Sequence, residues 1–171
     1  MDEKRILEAK KNYHAYLSEY LLKKVPFDQN IFEKFQENAI ESLTVANELF
    51  ESRMSYLWTI VVSYYAMFYI ASAYIYRKGF KAQHKIVHKV INDTLIILAK
   101  DELEKRFLEE YEEEKEKALT LAENMLDSFE HERTKRSTFQ YEMTKELKES
   151  KARTSLERAK DFVNMFRELI Q

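Results

Sequence analysis

A single glycine, Gly79, and a single proline, Pro26, punctuate 171 residues. Those two residue types build tight turns, bulges and phosphate-cradling loops, because glycine reaches left-handed backbone conformations and proline fixes φ. A β-sandwich or an α/β sheet of this length needs many of them. A chain with one of each is therefore expected to be all-α, an antiparallel up-and-down bundle of five to six long helices with few turns. The same scarcity excludes two nucleotide-binding devices, since a Walker loop needs two glycines and a dinucleotide-binding fingerprint three. Hydrophobic residues make up 45% of the chain, enough for one real core and one domain spanning residues 1–171.

Cysteine is absent, which removes disulfides, thiolate metal sites and cysteine nucleophiles. It fits a reducing cytoplasm. The first residues, MDEKRILEAKK, carry charges where a signal peptide has its apolar stretch, so a cytoplasmic protein is expected. The formal net charge of −2 gives no global pull toward nucleic acid, and local charge has to be read instead.

Apolar residues at helical spacing divide the chain. The first helix is expected over about Asp2–Lys24, with Ile6, Ala9, Tyr13, Leu17, Tyr20 and Leu21 as its stripe. Val25-Pro26 breaks it and Asp28 caps the second helix, which runs to Glu51. Tyr56–Tyr76 carries no charge and is long enough to span a bilayer. Its serines, its threonine and its spread of tyrosines suit a bundle core better than lipid, so no membrane is expected. Val61, Ala66, Phe68, Ile70 and Ala73 are its predicted buried residues, and Gly79 is its stop. A fourth helix is expected from His84 to a break at Lys100-Asp101. A fifth follows to His131, then a loop over Glu132–Thr144, and a last helix carries Ala152, Leu156, Ala159, Val163, Phe166 and Ile170.

Histidine is scarce. His84 and His88 stand four apart, on one face if both lie in helix four, and such a pair can ligate a metal. A metal needs further ligands, and neither His-Glu-x-x-His nor Glu-x-x-His occurs, so neither a metal nor a cofactor is expected. Charge is more informative. Tyr76–Asn92 holds Arg77, Lys78, Lys81, Lys85 and Lys89 and no acid. A second basic stretch, Glu132–Arg153, includes Arg133, Lys135 and Arg136. With Tyr76, Phe80, Phe139 and Tyr141 nearby in sequence, these stretches have the donors and rings that bind phosphate and base. Solvated helix ends have the same composition.

Ser63-Tyr64-Tyr65-Ala66-Met67-Phe68-Tyr69-Ile70-Ala71 resembles the helix signature of HEPN domains. Gly79-Phe80 followed by His84 is similar to that family's glycine turn and histidine. Ala39-Ile40-Glu41-Ser42-Leu43 before and Ala152 to Val163 after sit where the family has helices. The resemblance runs from about Ile31 to the end and leaves residues 1–24 as an added or variant helix. It implies an up-and-down bundle, commonly dimeric, often paired with a minimal nucleotidyltransferase as toxin and antitoxin. Active members are metal-independent RNases that use an Arg and, a few residues on, a His, the His moving protons and the Arg holding phosphate charge. Here no histidine follows Arg133 and Arg136, and the segment is similar to the variant with arginines and a tyrosine, Tyr141.

Three functions therefore stand: a module that binds a nucleotide, RNA or a nucleotidyltransferase partner, an RNase toxin, and a structural adaptor. Catalytic candidates are His84, Arg133 and Arg136, with His131 as an alternative histidine. The phosphate-binding candidates are Arg77, His84, Arg133, Arg136 and Tyr141. They are expected near one another, in one molecule or across a dimer, and share one end of the bundle if helices three and five point the same way. A homodimer is expected from the resemblance and from 11 Tyr and 11 Phe, more aromatic surface than a bundle of this size easily hides.

Overall fold

The uncharged segment forms the central helix of the protein. The computed structural model describes residues 1–83, 86–134 and 145–170. Helix α3, Tyr56–Arg77, starts where the Ser55 hydroxyl accepts a hydrogen bond from the Trp58 amide, and most of its residues are buried. Val61, Ala66, Phe68, Ile70 and Ala73 are all among them. Among the described residues α3 is long and apolar enough to cross a membrane, and 78% of its most apolar stretch is covered by the rest of the protein.

Five more helices surround it: α1 Glu3–Ser18, α2 Gln29–Glu51, α4 Val87–Ala99, α5 Lys105–Thr134 and α6 Lys145–Leu169. Helix α2 runs antiparallel to α3. Phe35 meets Tyr76 at one end, ring centroids 5.9 Å apart, and Phe50 meets Tyr56 at the other, again 5.9 Å apart. Helix α5 is also antiparallel. Glu102, just before it, bonds Lys78 at the end of α3, and Tyr111 within it packs on Tyr64. Helix α6 is parallel to α3, since Tyr56 donates to Glu149 and Tyr74 packs on Phe166. Thus α2, α3, α5 and α6 form an up-and-down core, and the predicted α6 stripe is fully buried.

Helix α4 departs from that alternation. His88 lies beside Tyr64 and the Leu98 carbonyl accepts from Tyr74, so α4 runs the same way as α3. Consecutive parallel elements need a return connection, and part of it is a strand, β2 Phe80–Ala82. It pairs antiparallel with β1, Leu22–Lys24, in the register Leu22–Ala82, Lys23–Lys81, Lys24–Phe80. The expected first helix to Lys24 is therefore too long. It ends at Ser18 because Tyr20 takes φ +59 and the Leu21 amide bonds the Tyr16 carbonyl, a Schellman stop without glycine. The expected all-α bundle of five to six helices holds, with this two-stranded ribbon as a small addition to it. Helix four begins at Val87 rather than His84, and helix five reaches Thr134, three residues past the expected end. The antiparallel order of α3 and α5 overturns the expectation that helices three and five point the same way.

Candidate functional site

The C-terminal end of α3 collects cations because Gly79 stops the helix inside a basic run. Gly79 has φ +86, and its carbonyl accepts the Val25 amide at 2.9 Å, which draws β1 alongside β2. Arg77 is exposed, with its guanidinium 5.1 Å from the Phe27 ring centroid and 5.7 Å from that of Phe32. Stacking of this kind holds the guanidinium in place and leaves its N–H edges free for an anion. Lys78 is engaged instead, at 2.7 Å from Glu102. Hydrogen bonding from Lys78, helped by Tyr74, holds the Glu102 carboxyl below its ordinary value despite some burial. On the ribbon, Lys23 and Lys81 lie directly opposite each other. Among the described residues no carboxylate reaches ion-pair distance of Lys23, Lys24 or Lys81. Like charges placed opposite across a ladder repel, and an incoming anion relieves that repulsion.

A second titratable cluster lies between α3 and α4. The Tyr64 hydroxyl is 2.8 Å from His88 Nδ1, and the imidazole packs against Phe68 with centroids 4.6 Å apart. Burial, and then the positive Lys115, push the His88 imidazole below its ordinary value. In the neutral tautomer with its proton on Nε2, His88 accepts a hydrogen bond from the Tyr64 hydroxyl at Nδ1. Burial also drives the Tyr64 phenol far above its usual range, which keeps it a donor.

The N-terminal helix is held by a third cluster. Asp93 in α4 is 1% exposed and accepts from Arg5 Nη2 at 2.5 Å, Asn12 Nδ2 at 2.9 Å and Tyr16 Oη at 2.7 Å. Arg5 Nε also donates to Glu112 of α5 at 2.7 Å. All three donors sit on α1, so one buried carboxylate fixes that helix to the body. Asp93 lies on the apolar side of α4, a position where the periodicity of the sequence gives a carboxylate no visible role. On the opposite flank of α5, fully buried Glu114 accepts from Ser155, Arg158 and Lys117 and ties α5 to α6.

Two of the predicted site residues, Arg77 and the backbone of Arg133, fall within the described residues. Arg77 stands at the Gly79 end. The backbone of Arg133 lies in the last turn of α5, about 18 Å of helix beyond Leu121. Leu121 itself packs with Tyr56 and Ile60 at the other end of α3. Within one molecule, Arg77 and Arg133 thus occupy opposite ends. His84, Arg136 and Tyr141 lie outside the described residues. The residues missed by the sequence reading are Tyr20, Lys23 and Lys24, which join the Arg77 end through β1. Their signal, a Lys-Lys pair after an exposed tyrosine, is concealed by a helical stripe that continues through Leu21.

The HEPN domain model matches residues 32–169 of this chain. Among curated proteins, none matches it.

Proposed function

The chain belongs to the HEPN family, and from that premise we propose that it is a helical module that binds RNA or a nucleotide through phosphate without cleaving it. The observation that carries this reading is the separation of the two described candidate arginines. The backbones of Arg77 and Arg133 lie at opposite ends of the α3–α5 pair, which supports binding at the Gly79 end over a single site built from both arginines. Arg77 and Lys81 at the Gly79 end lack carboxylate partners among the described residues, which supports an anion-binding role there.

Self-association belongs to the same reading. Trp58, Val62, Tyr65 and Tyr69 follow one face of α3. Trp58 is half exposed and the others are partly buried. Such an aromatic stripe suits a two-fold interface, and a minimal nucleotidyltransferase is the other partner class that the family implies. Light scattering at micromolar concentration reads a dimer mass if the stripe is self-complementary.

The test is incubation of the full chain with a labelled oligoribonucleotide in EDTA. The expected result is intact RNA and binding that weakens as salt rises. Metal-independent cleavage that disappears in His84→Ala would overturn the proposal in favour of an RNase.

A further inference from the structure

The N-terminal segment, up to β1, lies before the residues matched by the family model, yet it completes the basic end of α3. Its geometry there is costly in two ways. Tyr20 occupies the left-handed position of a helix stop, where glycine is favoured and a side chain costs about 1–2 kcal/mol. That tyrosine is 71% exposed, so packing does not offset the cost. Lys23 faces Lys81 across the ribbon, and neither makes an ion pair among the described residues. Strain and repulsion kept together at an exposed place point to a contact made outside the molecule.

A shallow depression of about 430 Å³ lies at the same place, lined by Leu17, Tyr20, Leu22, Lys23 and Lys24. Its apolar floor and basic rim match the two parts of a nucleotide, a flat base and a charged backbone. Glu19, next to Tyr20, is the carboxylate on this turn, and it is exposed.

We propose that Tyr20 and the ribbon lysines Lys23, Lys24 and Lys81 form a binding platform for single-stranded nucleic acid, with a base stacked on Tyr20 and the backbone phosphates following the lysines toward Arg77. This deepens the phosphate-binding reading above and rests on it. The ligand class is single-stranded polynucleotide rather than duplex. A lone exposed ring needs an unstacked base, and a three-residue ribbon does not fill a groove.

Fluorescence anisotropy of the full chain with labelled oligouridylate and oligothymidylate tests it, the two probes separating RNA from DNA. Tyr20→Gly is expected to weaken binding about tenfold while raising the melting temperature, because glycine relieves the left-handed strain. Lys23→Glu with Lys81→Glu is expected to abolish most binding and to flatten its salt dependence. Arg53→Glu, on the exposed α2–α3 turn at the far end of the bundle, is the control and should leave affinity within about twofold. If Arg53→Glu abolishes binding while the ribbon variants retain it, the platform is refuted and the broader phosphate-binding reading stands. Binding of neither probe by the wild-type chain overturns both. A Tyr20→Gly variant that binds normally and melts lower makes Tyr20 structural and ends the proposal.

Discussion

Replacing Asp93 with alanine should cost about 4 kcal/mol of folding stability. The sum is built from three severed bonds. Tyr16 is 5% exposed, so its hydroxyl loses the one hydrogen bond it makes among the described residues and stays buried, at about 1–3 kcal/mol. Burial, reinforced by Asp93, holds that phenol far above its usual range, so ionisation offers it no escape. Arg5 retains Glu112 but loses a charge-assisted bond of about 1.5–3 kcal/mol, and Asn12 loses a weaker one. In a domain of this size the loss lowers the melting point by roughly 8–16 °C. Urea unfolding followed by circular dichroism at 222 nm reads it directly. The mechanism makes a sharper claim through Tyr16→Phe, which should cost about 1 kcal/mol alone. In the double variant no hydroxyl is orphaned, so the combined loss should fall short of the sum by about 1–2 kcal/mol. Additive losses, or an Asp93→Ala loss below about 1 kcal/mol, would refute the idea that this carboxylate anchors α1.

Ala66→Asp places an unpaired charge at a position with no exposure in α3, and it should leave the chain unfolded by circular dichroism at 25 °C. Gly79→Ala has room for its Cβ, which would meet the Val25 carbonyl oxygen at 4.0 Å. It should therefore lose only the left-handed backbone cost, about 1–2 kcal/mol in urea unfolding. The folded state lowers the His88 pKa, so below the ordinary imidazole value of about 6.5 the unfolded chain takes up a proton that the folded chain resists. This contribution to stability is complete above about pH 6.5 and is lost as pH falls. His88→Gln should flatten the decline in melting temperature between about pH 7 and pH 5.5.

The central helix was legible because a long stretch without charge has few other soluble solutions, and the α6 stripe because its period is unbroken. What stayed hidden was mostly the stops. Helices α1 and α2 end on Tyr20 and Arg53, both at positive φ, with the Leu21 amide bonded to the Tyr16 carbonyl and the Met54 amide to that of Leu49. A glycine-poor chain uses the same stop with residues that carry no signal for it. The β-ribbon was hidden for a related reason. Leu22-Lys23-Lys24 and Phe80-Lys81-Ala82 are too short to show alternation, and their pairing depends on where Gly79 ends α3. The direction of α5 then followed from that of α4, which no local pattern encodes. Arg77 and Lys81 were visible as a charge run. Glu114 was not, because an acidic helix gives no sign of which carboxylate meets Ser155 and Arg158.

The anchoring of α1 and the strain of the ribbon belong together. Asp93 holds α1 through Arg5, Asn12 and Tyr16, and Tyr16 also supplies the carbonyl that closes the Tyr20 stop. On the other side of that stop, Leu22 is 1% exposed and pins β1 to the core. Tyr20 thus lies between two buried anchors, four residues after one and two before the other. A loop held so closely at both ends cannot relax its left-handed residue by shifting register. Lys23, next to Leu22, cannot swing away from Lys81 without lifting a buried leucine. The stability released at Asp93 and Leu22 therefore maintains an exposed geometry that would be unfavourable on its own. Loosening the first anchor should loosen the second feature. In Asp93→Ala at temperatures where the chain is still folded, the amides of Leu22–Lys24 should exchange hydrogen faster, while those in the middle of α3 stay protected. Unchanged ribbon exchange would mean that the ribbon is held by its own pairing and by Leu22, and that α1 contributes nothing to its geometry.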